Sequence, residues 1–378
     1  MGKGGKYLKQ AEPVKKKKNK VVSVILFAIL ALLLIGIGFA VWYYNYLIGL
    51  VSRPDTPVRV PEQTVQIDNT VAETELLETE PATTSPEDTW PEIVSDENIT
   101  NIMLVGQASR QGEESLIADT MILVSINRET KTLTLTSLMR DLRLTWPKYV
   151  DTNGKTHSGF NRINMAYNMG YSWTKNKQDS MDLMEAIVEY NFGVPVDNTV
   201  EIDFEIFMKI CDILGGVTLD FSEEEIKYMQ TNYFNYEKNF KLVPGENKVD
   251  GWQALCYARM RKVGHGDFER TERQREVITN LLNKLRKVGI LDIHKMFTEV
   301  LPMITTDMTN EQITNYAFEF IPMLKDLKIQ SQRIPFDGTY WSVVVEIEGQ
   351  APDNQIDCNA AKNGELLRAS IGMTEPTE

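Results

Sequence analysis

Residues 120–137 read Thr120-Met-Ile-Leu-Val-Ser-Ile-Asn-Arg-Glu-Thr-Lys-Thr-Leu-Thr-Leu-Thr-Ser137. Its two ends are rich in aliphatic and β-branched residues, which favour strands. The polar residues Arg128 to Lys131 separate the two ends and are typical of a turn. The pattern therefore predicts two strands, over residues 120–127 and 132–137, joined as a hairpin.

The segments around this hairpin alternate between strand and helix patterns. The predicted strands lie over 101–105, 200–203 and 217–220, and the predicted helices over 177–191, 204–214, 252–260 and 272–288. Strands mixed with helices along one chain predict an α/β fold. We expect an α-β-α sandwich, in which helices cover both faces of a mixed central sheet.

The first 52 residues predict a membrane anchor and its orientation. Residues 1–20 carry eight lysines and one acid, Glu12, and residues 21–52 contain no charged residue. A helix needs roughly 20 apolar residues to cross a bilayer core, and a secretory signal has a shorter apolar run. Lysines mark the cytoplasmic side of such a helix. We therefore expect a cytoplasmic tail over 1–20, one transmembrane helix over 21–48, and an extracellular remainder.

The composition changes sharply after the predicted membrane helix. Residues 51–98 are rich in Pro, Thr and Glu, and this composition cannot bury enough apolar surface to fold. We expect an acidic disordered linker over 49–98, one large domain over 99–372 and a tail over 373–378. The net charge of −13 and the lack of a recognisable DNA-binding motif argue against a nucleic-acid partner.

The cysteines and histidines do not form a metal-binding or catalytic pattern. They are few and scattered: Cys211, Cys256 and Cys358, and His157, His265 and His294. Their spacing argues against a zinc site and against a Ser-His-Asp triad. Cys211 and Cys256 lie in apolar stretches, so we expect them to be buried thiols.

An arginine-rich segment stands out in this acidic chain. Residues 259–274 read Arg-Met-Arg-Lys-Val-Gly-His-Gly-Asp-Phe-Glu-Arg-Thr-Glu-Arg-Gln. The planar guanidinium of arginine matches the oxygens of a phosphate, and Gly264 and Gly266 predict a loop between ordered flanks. Two interpretations follow from this segment alone. It is either a grip for a pyrophosphate or a solvated basic helix start with surface ion pairs.

Three further groups of residues are candidates for chemistry. Asp119 stands at the edge of a predicted strand, where it either holds a hard cation such as Mg²⁺ or caps a turn. Arg140 and Asp141 follow the second hairpin strand and form either a ligand site or a local ion pair. Arg162 and Asn164 follow a loop and belong either to the same cleft or to a surface helix start.

In this order, the segments resemble the LytR-CpsA-Psr family of cell-envelope proteins over about residues 99–370. The matching pieces are Asn-Ile-Met-Leu-Val-Gly from 101, Ala-Asp-Thr-Met-Ile-Leu-Val-Ser-Ile-Asn from 118, Ser-Leu-Met-Arg-Asp from 137, Arg-Ile-Asn-Met-Ala-Tyr from 162, Leu-Gly-Gly-Val from 214, and Gly-Trp-Gln-Ala-Leu-Cys-Tyr-Ala-Arg-Met-Arg from 251. Asp267, Arg270 and Arg273-Gln274 complete the series, and the stretch from Arg333 to Tyr340 resembles the final strand region of such domains.

The resemblance implies a phosphotransferase outside the membrane. Such an enzyme moves a glycopolymer, of teichoic acid or capsule type, from an undecaprenyl-pyrophosphate carrier to peptidoglycan. It implies an apolar pocket for the polyprenyl chain, lined by amphipathic helices, and a Mg²⁺ ion held by Asp119. The implied catalytic residues are Arg140, Asp119 and Asp141. The implied pyrophosphate ligands are Arg140, Arg259, Arg261, Arg270, Gln274 and Arg162.

One departure from the family pattern affects the expected chemistry. Members carry an acidic residue in a Gly-x-Asp-x-Arg run, and here the run is Gly106-Gln107-Ala108-Ser109-Arg110. Alanine neither ligates a metal nor acts as a base. Two alternatives to an active enzyme therefore remain. One is a catalytically weak polyprenyl-phosphate-binding protein, and the other is an envelope-related transcriptional attenuator.

The predicted topology is directly testable with protease. Protease added to intact protoplasts is expected to release a large fragment that begins within residues 51–98, because the linker lies outside the cell. The fragment is identified by its N-terminal sequence and mass. Protection of most of the chain would contradict the predicted orientation.

Overall fold

A computed structural model describes residues 43, 45, 46, 48–51, 53, 93–107, 117–233, 241–264, 266–346 and 352–373. The chain divides into two units, residues 1–47 and 48–378, and in the first unit the described residues Tyr43, Asn45 and Tyr46 are helical. Within the described residues, no helix is both long enough and apolar enough to cross a bilayer. The predicted transmembrane helix and linker, and Ala108, fall almost wholly outside them.

The described strands and helices run from Ile99 to Ile371. The strands are β1 (Ile99–Gln107), β2 (Ala118–Asn127), β3 (Thr132–Leu138), β4 (Arg143–Val150), β5 (Thr156–Arg162), β6 (Asn198–Ile202), β7 (Val217–Phe221), β8 (Gly245–Val249), β9 (Thr305–Thr306), β10 (Lys328–Ile334), β11 (Tyr340–Val345) and β12 (Asp353–Cys358). The α-helices are α1 (Asn164–Thr174), α2 (Lys177–Phe192), α3 (Phe204–Ile213), α4 (Glu223–Asn232), α5 (Gly251–Ala258), α6 (Asp267–Leu285), α7 (Ile290–Lys295), α8 (Asn310–Met323) and α9 (Ala360–Ile371). A π-helical turn (Met296–Val300) and a 3₁₀ turn (Leu301–Met303) follow α7.

The central sheet of the described residues is mixed, with strand order β10-β3-β2-β1-β6-β9. The predicted hairpin is confirmed, because β2 and β3 pair antiparallel from Asn127 opposite Thr132 to Ile122 opposite Ser137. β1 pairs antiparallel with β2 and parallel with β6, while β10 pairs parallel with β3. The antiparallel hairpin brings the start of β2 beside the end of β3, so Asp119 and Arg140 become neighbours.

Helices pack against both faces of this sheet, because successive side chains of a strand point to opposite faces. On one face, Met103 and Leu123 pack with residues of α2 such as Met184. On the other face, Leu135 packs with a cluster that includes Ile278 of α6 and residues of α8. The predicted mixed α/β fold with a central mixed sheet is therefore confirmed.

A further apolar cluster joins α3, α5 and α6 to the β7–β8 hairpin beside the sheet. Gly251 begins α5 and lies directly against α3, since a Cβ there would meet the Met208 carbonyl oxygen at 2.4 Å. Asp250 caps α5 in a capping box with Gln253. This close packing fixes the end of α5, from which the arginine segment continues.

Several predicted boundaries need correction. The helix predicted over 272–288 begins five residues earlier, at Asp267, so Arg270 lies on the helix and not in the preceding loop. Gly266 adopts a positive φ of 75° just before it, and acidic residues in the first turn complement the helix dipole. The stretch from Arg333 to Tyr340 starts at the end of β10, which is the last strand of the central sheet in chain order. The β11–β12 hairpin and α9 follow it.

The cysteines behave as predicted within the described residues. Cys211 and Cys256 are buried thiols, and Cys358 is a half-buried one. Burial raises the pKa of the Cys211 thiol to about 12, so it stays protonated at neutral pH.

A buried pair of carboxyl groups, Glu185 of α2 and Asp307, contacts strand β6 near the edge of the sheet. Glu185 accepts a hydrogen bond from the Thr199 hydroxyl at 2.7 Å, and Asp307 accepts one from the Thr199 backbone N–H at 2.9 Å. Burial, with the negative charges of Asp307 and Asp182, raises the pKa of Glu185 well above its ordinary value. Glu185 is therefore the protonated member of the pair in the folded protein, and its carboxyl group donates a hydrogen bond to Asp307.

This pair predicts a loss of stability toward alkaline pH. A glutamate with a raised folded pKa contributes its full stability below its unfolded pKa, about 4.3. That contribution is lost as the pH rises through the folded pKa. Wild type is thus expected to lose stability relative to Glu185→Gln, which cannot ionise, as the pH rises above the unfolded pKa of about 4.3. Urea unfolding of both proteins measures the difference, with the exposed-site variant Glu246→Gln as control. Parallel pH profiles for all three would contradict the assignment.

Candidate functional site

A cavity of about 740 Å³ lies between the sheet, α3, α5 and α6. That volume is within the usual range of ligand pockets, about 300–1,000 Å³. Most of its wall is apolar, and the apolar lining residues are Leu104, Ile117, Ile202, Phe204, Phe207, Ile210, Leu214, Leu255, Ala258, Ile278, Leu281, Leu282, Leu285 and Met296. The cavity therefore accommodates a long apolar group.

The apolar stripes of two helices line this cavity. On α6, Ile278, Leu281, Leu282 and Leu285 follow the i, i+3, i+4, i+7 spacing of one helix face. On α3, Phe204, Phe207 and Ile210 recur at every third position. The expectation that amphipathic helices line an apolar pocket is confirmed, although some of these residues also contribute to the neighbouring cores.

The polar part of the cavity wall is rich in arginine. Arg140, Arg259, Arg261 and Arg270 line it together with Gln274, Asp119 and Asp203. Asp203 is already engaged as the N-cap of α3, where its carboxylate accepts from the Ile206 N–H at 2.8 Å. The excess of guanidinium groups over carboxylates makes this region electropositive, which suits an anionic ligand.

The Asp119 carboxylate is the centre of the arginine cluster. Its Oδ1 lies 3.1 Å from Arg261, 3.5 Å from Arg140 and 3.9 Å from Arg270. The predicted neighbourhood of Asp119, Arg140, Arg261 and Arg270 is thus present in the structure. Each arginine comes from a different element, because Arg140 follows β3, Arg261 follows α5 and Arg270 lies on α6.

Arg270 is the deepest of these cations. Its side chain is 2% exposed, and burial lowers the pKa of its guanidinium to about 10. Nη2 pairs with Asp267 at 3.0 Å, whereas Nε and Nη1 have no hydrogen-bond acceptor among the described residues. Buried donors without acceptors are costly, so this guanidinium is ready to receive oxygens of an anionic ligand.

Asp267 is a site residue to which the sequence assigned no role. It lies 3.0 Å from Arg270 and 3.6 Å from Arg140, so it orients both guanidinium groups. Burial raises the pKa of its carboxyl, while Arg270 and Arg140 oppose that shift. The signal for it was the Gly-Asp start of a helix followed by an arginine three residues later.

Arg259 and Gln274 also line the cavity, but away from Asp119. The guanidinium carbon of Arg259 lies 4.5 Å from the centre of the Phe204 ring, over its face. Gln274 is buried on α6, one turn after Arg270. Their position in the same cavity agrees with a role in ligand binding.

Arg273, by contrast, is buried and contacts the backbone of the segment between α5 and α6. It pairs with Glu225 at 2.8 Å and donates to the carbonyl oxygens of Met260 at 3.3 Å and Val263 at 3.1 Å. Its side chain is 7% exposed and does not belong to the cavity wall. Arg273 therefore holds the segment that carries Arg261 in place.

Arg162 does not line the cavity but is linked through Asp141 to Arg140, which does. It pairs with Asp141 at 3.5 Å and with Asp353 at 3.1 Å, and Asp141 in turn pairs with Arg140 at 3.3 Å. Asp353, which the sequence analysis did not single out, is brought here by the β11–β12 hairpin. Asn164 is buried, and its backbone N–H donates to the Arg140 carbonyl oxygen at 3.4 Å. The structure thus links Arg162 and Asn164 to the site through Arg140 and Asp141.

No cluster of three or more metal-binding side chains occurs among the residues the structure describes. Asp119 offers one hard oxygen-donor group in the cavity wall, and three guanidinium groups surround it. Gln107 ends β1 and also lines the cavity, whereas Ala108 lies outside the described residues. Asp119 therefore suits Mg²⁺ only together with ligand oxygens from a bound phosphate.

Comparison with known proteins identifies the family. The chain matches the LytR_cpsA_psr family over residues 58–359. The match covers more than half of the chain, so the protein belongs to the LytR_cpsA_psr family, as its motifs indicate.

Two curated relatives and one solved structure illustrate the similarity. Biofilm regulatory protein A of Streptococcus mutans serotype c is 28% identical over 288 residues, which are 70% of this chain and 64% of that protein. Polyisoprenyl-teichoic acid–peptidoglycan teichoic acid transferase TagU of Bacillus subtilis strain 168 is 30% identical over 230 residues, which are 60% of this chain and 66% of that protein. The matches thus span less than two thirds of each relative. TagT with bound octaprenyl pyrophosphate lipid shares the fold, with a TM-score of 0.51, 19% identity and coverage of 76% of this chain and 95% of that one.

Arg261 provides a test of the arginine cluster. Its side chain is 42% exposed, so Arg261→Ala is expected to weaken binding of a polyprenyl pyrophosphate without unfolding the protein. A charge-assisted hydrogen bond contributes roughly 1.5–3 kcal/mol, which corresponds to about tenfold or more in affinity. Arg261→Lys is expected to restore only part of the binding, because lysine lacks the planar fork.

The neighbouring exposed residue Lys262 supplies the matched control. Lys262→Ala removes the same charge one position away and is expected to bind the lipid as wild type does. The measurement is a binding titration with a short-chain polyprenyl pyrophosphate, repeated for Arg259→Ala and for the Arg259/Arg261 double variant. Unchanged affinity in the double variant would show that Arg259 and Arg261 do not contribute to lipid binding.

Proposed function

We propose that this protein is a membrane-anchored phosphotransferase that moves a glycopolymer from a polyprenyl-pyrophosphate carrier, undecaprenyl pyrophosphate, to peptidoglycan. The observation that carries the proposal is the cavity that combines apolar helix stripes with an arginine cluster. An amphiphile with a long apolar chain and a doubly anionic head matches both parts of this wall. The names of the relatives, a teichoic acid transferase and a lipid-bound TagT, support the same class of substrate.

The arginine cluster has a clear role in such a transfer. Arg140, Arg261 and Arg270 would hold the two phosphates and stabilise the charge that develops on the phosphoryl oxygens. Displacing their contacts with Asp119 leaves Arg270 and Arg140 positioned, because Asp267 still binds both of them. Arg259 and Gln274 add further donors from the cavity wall.

The reaction exchanges one bond to phosphorus for another. A hydroxyl oxygen of the acceptor sugar bonds to the phosphorus that carries the glycopolymer, and the bond from that phosphorus to the oxygen bridging to the lipid phosphate breaks. The products are a phosphodiester and a polyprenyl monophosphate. Asp141 lies beside Arg140, at the margin toward the β4–β5 hairpin, and is suited to accept the proton of the hydroxyl.

Asp119 is the residue that would hold Mg²⁺ in this site. When bound, the ion supplies positive charge that offsets the charge of the phosphates. The surrounding arginines make Asp119 a weak cation site until a pyrophosphate brings compensating negative charge. Membrane anchoring through residues 21–48, with residues 1–20 in the cytoplasm, completes the proposal and rests on the sequence pattern alone.

One observation favours a second candidate function. Ala108 stands where the family carries an acidic residue, and alanine supplies no oxygen ligand from its side chain. The second candidate is therefore a protein that binds the pyrophosphate lipid but transfers its glycopolymer weakly or not at all. Lipid binding alone does not separate the two candidates, whereas metal-dependent transfer does.

The decisive experiment measures polymer transfer across a Mg²⁺ titration. For the enzyme, transfer by wild type is expected to need Mg²⁺, Ala108→Asp to need less of it, and Asp119→Asn to fall to background. Asp119→Asn is expected to retain lipid binding, because the arginines carry that affinity. Transfer by wild type that resists both chelator and Asp119→Asn would contradict the metal role. Transfer seen only in Ala108→Asp would favour the binding protein.

A further inference from the structure

Two β-hairpins meet beside Arg140 and form one surface. Leu142, just before β4, forms a β-bridge with Ile356 of β12, and the Ile356 N–H donates to the Asp141 carbonyl oxygen at 2.9 Å. This single bridge places the two-stranded sheets β4–β5 and β11–β12 next to each other at the start of β4. Leu142 is buried in the core on one face, so the alternating residue Arg143 points to the opposite face.

This opposite face carries paired charges between two exposed aromatic rings. Arg143 lies over the Phe160 ring at 4.2 Å and pairs with Asp357 at 3.7 Å. Asp357 stands directly across β12–β11 from Trp341. Phe160 is 49% exposed and Trp341 is 52% exposed. We call this surface, made of Phe160, Arg143, Arg162, Asp353, Asp357 and Trp341, the hairpin platform.

The hairpin platform differs in net charge from the arginine-rich part of the cavity wall. Arg143 is balanced by Asp357, and Arg162 is balanced by Asp353 and Asp141. A polyanionic chain would be attracted by cations in excess, which this surface does not offer. Fixed charged groups between exposed aromatic rings instead suit an uncharged polar ligand. Sugar rings are such ligands, because they present apolar C–H faces to aromatic rings and hydroxyl groups to charged side chains.

The hairpin platform is continuous with the reaction site. Arg162 pairs with Asp141, and Asp141 pairs with Arg140, so the platform begins where the arginine cluster ends. It extends from Phe160 on β5 to Trp341 on β11, with the Arg143–Asp357 pair between the two rings. We propose that the hairpin platform binds the glycan strand of the acceptor and presents its hydroxyl group to Asp141. This assignment rests on the proposed function, because it supplies the acceptor for that transfer.

Other occupants of the platform make different predictions. A second copy of this chain would make self-association depend on Phe160 and Trp341. The anionic donor polymer would bind better as opposing charge is removed, so Asp357→Asn would tighten its binding. A neutral glycan is expected to lose affinity when Asp357 becomes Asn, because the amide replaces one charged acceptor oxygen with an NH₂ donor.

The test uses the full chain in detergent and chitohexaose, the hexasaccharide of N-acetylglucosamine, as the probe. Calorimetric titration compares wild type with the Phe160→Ala/Trp341→Ala double variant. The double variant is expected to bind the hexasaccharide about tenfold or more weakly, since truncating a central aromatic contact commonly costs over 1 kcal/mol. The conservative pair Phe160→Tyr/Trp341→Phe is expected to retain most of the affinity, which separates ring stacking from a loss of folding.

Phe318 supplies the matched control, because it is an aromatic residue on α8 that is 72% exposed. Phe318→Ala is expected to bind the hexasaccharide as wild type does, and every variant is expected to bind polyprenyl pyrophosphate unchanged. Equal hexasaccharide binding by wild type and the double variant, or no binding by wild type, would overturn the proposal. So would self-association of wild type that the double variant loses.

The lipid titration keeps the two proposals distinguishable. If wild type binds the hexasaccharide at the platform but does not bind polyprenyl pyrophosphate, the proposed transfer fails and the acceptor assignment fails with it. If wild type binds the lipid but the double variant still binds the hexasaccharide normally, only the platform assignment fails.

Discussion

The burial of Arg270 beside Asp119 and Asp267 is the interaction on which the site depends. A guanidinium that is 2% exposed is stable only when nearby groups compensate its charge. Asp267 binds one edge of it, and Asp119 lies at 3.9 Å from another. The same two carboxylates also contact Arg140, so one compensated cation positions its neighbours. Two donors of Arg270 nevertheless remain without an acceptor among the described residues, and they define where an anionic ligand fits.

The rest of the fold serves this arrangement by bringing distant segments together. The β2–β3 hairpin places Asp119 beside Arg140, and the packing of α5 on α3 fixes the segment that carries Arg261. Arg273 then holds that segment through Glu225 and two carbonyl oxygens. The amphipathic faces of α3 and α6 extend the site into an apolar cavity, so the arginine cluster and the apolar residues form one continuous wall. In our proposals, separate surfaces serve the donor lipid and the acceptor glycan.

Much of this organisation was predictable because it is local in the chain. Strands β1, β2, β3 and β6 of the central sheet follow from the residue pattern, and the hairpin over 120–137 follows from its polar break, whereas β9 was not predicted. The residue types of the arginine segment left two interpretations open, a grip for a pyrophosphate or a solvated helix start, and the family resemblance favoured the first. The helix start at Asp267 was placed five residues too late, because charged residues hide the apolar stripe in its first turn. That error left Arg270 in a loop, although its helix is what holds it at a fixed depth.

The family, the mixed α/β class and four of the arginines that line the cavity were predictable from the residues alone, and the membrane anchor stays a prediction. The contacts of each arginine emerge only from the packing of the folded chain. Arg259, Arg270 and Arg273 look alike in the sequence, yet one lies over Phe204, one beside Asp119, and one is enclosed by Glu225 and backbone carbonyls. The role of Asp267 and the platform at Asp353 and Asp357 also depend on contacts between segments far apart in the chain. Such contacts are set by packing between elements, which residue spacing within one element does not encode.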